Sequence, residues 1–111
     1  MTITATFSNG FSDTYKGDRA VTAAWAIIRK SDGFTLASGH SLDAAKAAKT
    51  AAGNLAHRSL AGDFDLPEHP LRYIEGPDYR DNSKTRRAKR EHNAARLDFI
   101  RSLTTIEVVS L

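Results

Sequence analysis

The chain contains no cysteine. Disulfides, thiolate zinc sites and a cysteine nucleophile are therefore excluded. A secreted domain of this size often carries a disulfide, so the absence points to a reducing compartment, and a cytoplasmic location is expected. Proline occurs three times, at Pro67, Pro70 and Pro77, so most of the chain is free of strong breakers. Aromatic residues number nine in 111, and much of the 41% apolar content is alanine. A core built this way is thin and depends on close backbone approach. No apolar run nears the ~18–20 residues that span a bilayer. Met1–Thr6 also lacks the basic start and apolar stretch of a signal peptide, so no membrane partner is expected. No glycine-rich phosphate loop, HExxH pair or internal repeat is present. Neither a cofactor nor a small-molecule substrate is expected.

What is present reads as one domain over residues 1–111. Thr2–Phe7 alternates Ile3, Ala5 and Phe7 with threonines, the pattern of a half-buried strand. Asn9-Gly10 predicts a hairpin turn with positive φ at both positions, returning through Phe11–Tyr15. Ala20–Lys30 carries Val21, Ala23, Trp25 and Ile27 at period two and is the expected central strand. A turn at Ser31-Asp32-Gly33 leads to a strand over Phe34–Ser38. The first 39 residues are thus expected to form an antiparallel meander.

Ser41 is the expected N-cap of a helix whose apolar stripe is Leu42, Ala45, Ala48, Ala52, Leu55 and Ala56. That helix should end near Ala61, with Gly62 as terminator. A short strand is expected over Leu71–Ile74. A second helix should start at Asn82 or Ser83 and run to about Leu103, with a core face of Ala95, Phe99 and Leu103 flanked by Leu97 and Ile100. Thr104–Leu111 is rich in β-branched residues and predicts a closing strand. The expected class is α+β: a mostly antiparallel sheet with an N-terminal meander, a closing C-terminal strand and two helices packed on it.

Charge is the strongest functional signal. The formal net charge is +3, compatible with a nucleic-acid or acidic protein partner. Residues 61–80 hold two Lys/Arg against five Asp/Glu, whereas residues 81–111 hold seven against four. Lys84, Arg86, Arg87, Lys89 and Arg90 crowd the start of the second helix. The positive end of the helix dipole disfavours each of them there by roughly a few tenths of a kcal/mol. Arg86 and Arg90 also repel at the i,i+4 spacing. Local stability does not select this arrangement, so these five residues are the candidate partner-binding set. Guanidinium groups suit phosphate and carboxylate. Asp63, Asp65 and Glu68 form a second candidate surface.

Rival constellations are weaker. His40, Ser41 and Asp43 have triad residue types, but adjacent positions at a strand–helix junction suit capping better. Asp63, Asp65, Glu68 and His69 lack the glycine and terminal glutamate of a calcium loop. Trp25 and Phe34 have the residue types of a base-stacking platform, but Trp25 lies in the most apolar strand and is expected in the core. The element order also coarsely resembles the three strands, helix, strand, helix and strand of the ribonuclease H-like fold, without the carboxylates its two-metal chemistry needs.

The layout of Ala23–Lys30, Phe34–Ser38 and Leu42–Ala56 (strand, strand, alanine-rich helix), with the small size and absent cysteine, resembles the small phage-encoded accessory proteins that include the anti-CRISPR inhibitors. That resemblance implies stoichiometric binding to a nucleic-acid-handling complex of a host, with no functional residue carried over. The expected function is therefore a non-enzymatic binding protein acting on a protein or nucleoprotein complex. The alternatives are direct nucleic-acid binding through the basic helix and a structural subunit of a larger particle.

Overall fold

The computed structural model describes residues 2–16, 21–67 and 83–111. Within them the chain is a small α+β protein in the order β1 (Thr2–Thr6), β2 (Ser12–Lys16), β3 (Ala23–Arg29), β4 (Thr35–Ser41), α1 (Ala44–Ala61), α2 (Ser83–Ser102) and β5 (Thr104–Ser110). Every strand pairing is antiparallel. The expected meander breaks between β2 and β3. β1 and β2 form a separate two-stranded ribbon, and the second sheet has the order β4-β3-β5. The expected strand at Leu71–Ile74 lies outside the described residues.

β3 explains the layering. Its residues are buried on both faces from Ala23 to Ile28. Ala23, Trp25 and Ile27 pack with Ala47, Ala51 and Leu55 of α1, with Phe64 and with Ile100 of α2. Ala24, Ala26 and Ile28 face the other way, against Ala5, Phe7 and Tyr15 of the ribbon. The alternation seen in the sequence marked one of these faces. The second face escapes notice because alanines carry it, and a ribbon can lie close only on small side chains. The three layers are therefore ribbon, sheet and helices. Full burial of a side chain such as Ile27 contributes roughly 1.5–3 kcal/mol.

The ribbon shows the strict alternation of one buried face. Its outer face carries cross-strand hydroxyl pairs, Thr4 with Thr14 (3.3 Å) and Thr6 with Ser12 (3.0 Å). At its tip only Gly10 takes a positive φ, 86°, so the turn differs from the expected type with two positive φ values. A wider loop closes instead, with Phe7 N–H donating to Phe11 O (2.8 Å) and Gly10 N–H to Phe7 O (3.0 Å). Asn9 then serves the tertiary fold. Its amide donates to Gly33 O (2.7 Å) and Thr35 Oγ1 (2.9 Å), tying the tip to the β3–β4 turn.

Further polar ties hold the ribbon down. Ser8 donates through its N–H (2.9 Å) and hydroxyl (2.5 Å) to the Glu107 carboxylate. Ser38 Oγ donates to Asp13 Oδ2 (2.7 Å), and Tyr15 OH donates to Gly39 O (3.1 Å). The Ser38 hydrogen bond, more than any other contact, holds the Asp13 carboxyl below its ordinary range. Burial, then the hydrogen bond to Asp13, pushes the Tyr15 phenol up to about 12.

A phenol whose folded pKa exceeds its unfolded value contributes stability that is complete below the unfolded pKa and lost as pH rises to the folded one. Thermal stability is therefore expected to fall between about pH 10 and 12, and Tyr15→Phe should flatten that fall. The same variant should cost roughly 1 kcal/mol at neutral pH for the lost hydrogen bond. Thermal melts of both proteins across alkaline pH measure this, and parallel pH profiles would refute it.

α1 begins later and in a different phase than expected. β4 runs on to Ser41, so Asp43 is the N-cap and accepts from Lys46 N–H at 2.8 Å. The buried row is Ala47, Ala51, Leu55 and Ser59, while Ala45 and Ala48 are exposed and Leu42 precedes the helix, 51% exposed. Alanine stands on nearly every face of the first turns, so the sequence leaves the phase of this helix open. The sheet decides it. The helix ends as expected, with Gly62 in the left-handed region (φ 80°) and its N–H on the terminal carbonyls.

Candidate binding surface

α2 is anchored by its C-terminal half. Among its described side chains Arg96 and Ile100 are the buried ones, Leu97 and Phe99 are half-buried, and Ala95 is exposed. The expected core face is therefore rotated away from Ala95 towards Arg96 and Ile100, the latter one of its expected flanks, while Phe99 and Leu103 stay half-buried. Arg96 belongs inside because its guanidinium donates to Ser59 O at 3.4 Å. That carbonyl lies at the C-terminal, negative end of α1, where a cation is favourable. Arg96 was unreadable as a core residue, since an arginine in a basic helix looks like another surface charge. A cavity of about 190 Å³ adjoins it, lined by Ser59, Phe64, Leu66 and Ile100 among others.

Upstream of this anchor the helix changes. Arg87, Ala88, Arg90 and Glu91 are all exposed, and burial begins only at His92. Arg87 lies about 180° around the helix from Arg96, at 100° per residue. Arg87 Nε pairs with Glu91 Oε1 at 3.1 Å, both side chains being largely exposed. A pair of this kind contributes roughly 0.3–0.5 kcal/mol and yields easily to a stronger anion. Of the five candidate cations, Arg87 and Arg90 are thus placed on an outward surface. The side chains of Lys84, Arg86 and Lys89 lie outside the described residues.

The acidic candidate surface is differently built. Phe64 is buried in the core between Asp63 and Asp65, which pins the loop to the body. The Asp65 carbonyl and carboxylate accept from Arg29 Nη1 at 2.9 and 3.4 Å. Arg29 also grips Asp32 (2.6 Å) and lies over the Phe34 ring, 5.4 Å from its centroid. The Arg29 hydrogen bond holds the Asp32 carboxyl down to about 2. Asp65 is therefore partly committed to the fold, and Asp63 remains exposed. Glu68 lies outside the described residues. Among the described residues no ion pair joins Asp63 or Asp65 to Arg87 or Arg90.

The remaining constellations resolve into structure. Trp25 is buried, and Phe34 stays exposed under Arg29, so no aromatic platform spans the two. The His40 ring packs at a tilt of 52° against Tyr15, with the centroids 4.3 Å apart, while Asp43 caps α1. Among the described residues no group of three or more acidic or histidine side chains is placed to hold a metal ion, and no helix is long and apolar enough to cross a membrane.

The architecture is that of a three-layer α+β protein presenting the polar half of a helix. Comparisons of the chain with protein-family models, with curated proteins and with solved structures found no match.

Proposed function

We propose that this protein is a non-enzymatic, cytoplasmic binding module that acts by stoichiometric occupation of a partner. The contact surface is the basic first half of α2, carried by Arg86, Arg87, Lys89 and Arg90 with Lys84 beside them. The partner is an anionic surface on a nucleic-acid-handling protein complex, the target class that the resemblance to small phage-encoded inhibitors implies. One observation carries this reading. The exposed Arg87 and Arg90 sit on a stretch of α2, residues 87–91, whose described side chains are all exposed, while the helix is anchored in the core further on, at Arg96 and Ile100. The fold gives that stretch no burial among the described residues, and the same helix continues from it into the core.

The test uses the wild-type chain and a variant with Arg86, Arg87, Lys89 and Arg90 replaced by Ala. Both are assayed against labelled mixed-sequence DNA and RNA over a salt series, and against purified CRISPR-type nucleoprotein effector complexes. The expected result is saturable one-to-one binding to a complex, weakened about tenfold or more in the variant, roughly 1.4 kcal/mol or above. Unchanged circular dichroism in the variant would show that the loss is one of contact. Tight binding to naked nucleic acid with a steep salt slope would replace this reading with direct nucleic-acid recognition. Unchanged binding by the variant would remove α2 as the surface.

A further inference from the structure

The two edges of the three-stranded sheet are treated differently. On the β4 side the pairing with β3 shifts register between Ile27 and Ile28, which distorts the ladder. That strand is also tied to the ribbon through Ser38 and Gly39. Bulges and covering contacts of this kind are the usual protection of a sheet edge.

Among the described residues, β5 carries no register shift and no neighbour bonded along its outer side, and its tie to the ribbon runs through one side chain, Glu107. Its seven residues contain no lysine, arginine, proline or glycine, and they pair with β3 without a break from Thr104↔Arg29 to Ser110↔Ala23. Lys30 N–H donates to Leu103 O (2.9 Å) at one end of the ladder and Leu111 N–H to Thr22 O (3.0 Å) at the other. Hydrogen-bonded pairs alternate in an antiparallel ladder. The backbone groups of Thr105, Glu107 and Val109 therefore turn towards β3. Those of Thr104, Ile106, Val108 and Ser110 turn outward, and no described residue bonds to them. The strand's one charge, Glu107, is already held by Ser8.

We propose that this edge is a self-association surface. Two copies pair β5 against β5, antiparallel about a two-fold axis, and join their sheets into one. The occupant is a second copy because the strand complements itself. With Ile106 opposite Ile106 of the second copy, Thr105 faces Glu107 of the second copy twice, a hydroxyl against a carboxylate. Of the two registers one hydrogen-bonding step away, one sets Glu107 against Glu107, which like charge disfavours, and the other sets Thr105 against Thr105 and forfeits both Thr105–Glu107 contacts. Only Leu103 separates α2 from β5. Pairing therefore also fixes two copies of the basic helix in one relation, so that a dimer offers two contact surfaces at once.

Sedimentation velocity of the full chain over a concentration series tests this, with three variants. Thr105 is exposed, so its replacement leaves the core intact. Thr105→Glu places like charges across the two-fold and should raise the dimer dissociation constant. Thr105→Lys places opposite charges there and should lower it. Each change is expected to be roughly two- to thirty-fold, from two symmetric cross-strand pairs. Val108→Pro removes an outward N–H and no bond to β3, and should give a folded monomer. A wild-type chain that stays monomeric throughout overturns the proposal. So does a dimer that both Thr105 variants leave unchanged or shift in the same direction. If Val108→Pro fails to fold, the Thr105 pair decides. None of these variants touches the basic residues of α2, so this proposal and the binding proposal fail separately.

Discussion

Gly39→Val is expected to destabilise the protein by about 3 kcal/mol or more, at the upper end of overpacking costs. Gly39 sits opposite Trp25 in the β3–β4 pairing, and the indole lies across its backbone. A Cβ at position 39 would fall 2.6 Å from Trp25 Cζ2 and 2.7 Å from Cε2, inside any permitted contact. The indole has nowhere to retreat, since it is only 5% exposed and packs in the cluster formed with α1. The pressure is on side-chain space and not on φ, because Gly39 is not among the positive-φ glycines. Gly39→Ala should already cost a substantial part of the total. A Trp25→Leu background should relieve most of it, giving a large favourable coupling in a double-mutant cycle. Denaturant midpoints measure these values, and Trp25, the one tryptophan, reports the transition by its own fluorescence. A neutral Gly39→Ala would show that the indole does not lie on that strand.

Ala26→Leu tests the opposite face of the same sheet, with an expected loss of about 3 kcal/mol. Ala26 is completely buried between β3 and the ribbon, beside Ala5, Phe7 and Tyr15. Three added carbons cannot fit without lifting the ribbon. A two-stranded ribbon has marginal stability alone and depends on the face it covers. Its polar ties at Asn9, Asp13, Tyr15 and Ser8 need the same close approach. The damage should therefore be local first. Amide hydrogen exchange is expected to lose protection in β1 and β2 while α1 keeps it. Uniform loss across all elements, or a change under 0.5 kcal/mol, would mean that the ribbon is not seated on Ala26.

Element identity was legible in the sequence wherever periodicity and punctuation agreed. Period two marked β1 and β3, Gly62 marked the end of α1, and the β-branched run marked β5. These signals are local, because alternation, capping and turn chemistry act over a few residues. The basic run was legible for the same reason. Cations at the positive end of a helix are unfavourable whatever the tertiary fold, so their presence called for an explanation outside the helix.

Other features had no local signal. The phase of α1 was undetermined because alanine is equally at home on each of its faces, and only packing on β3 places Ala47 and Ala51 inward. Arg96 became a core residue because another helix brings the Ser59 carbonyl to it. The second face of β3 is lined by Ala24 and Ala26, residues too small to declare a core until the ribbon lies on them. Sequence determined which segments are strands and helices and where charge accumulates, since those depend on near neighbours. The tertiary structure alone decided which faces are buried, that β1 and β2 leave the main sheet, and that β5 is the outer strand of that sheet among the described residues, because those depend on which distant surfaces meet.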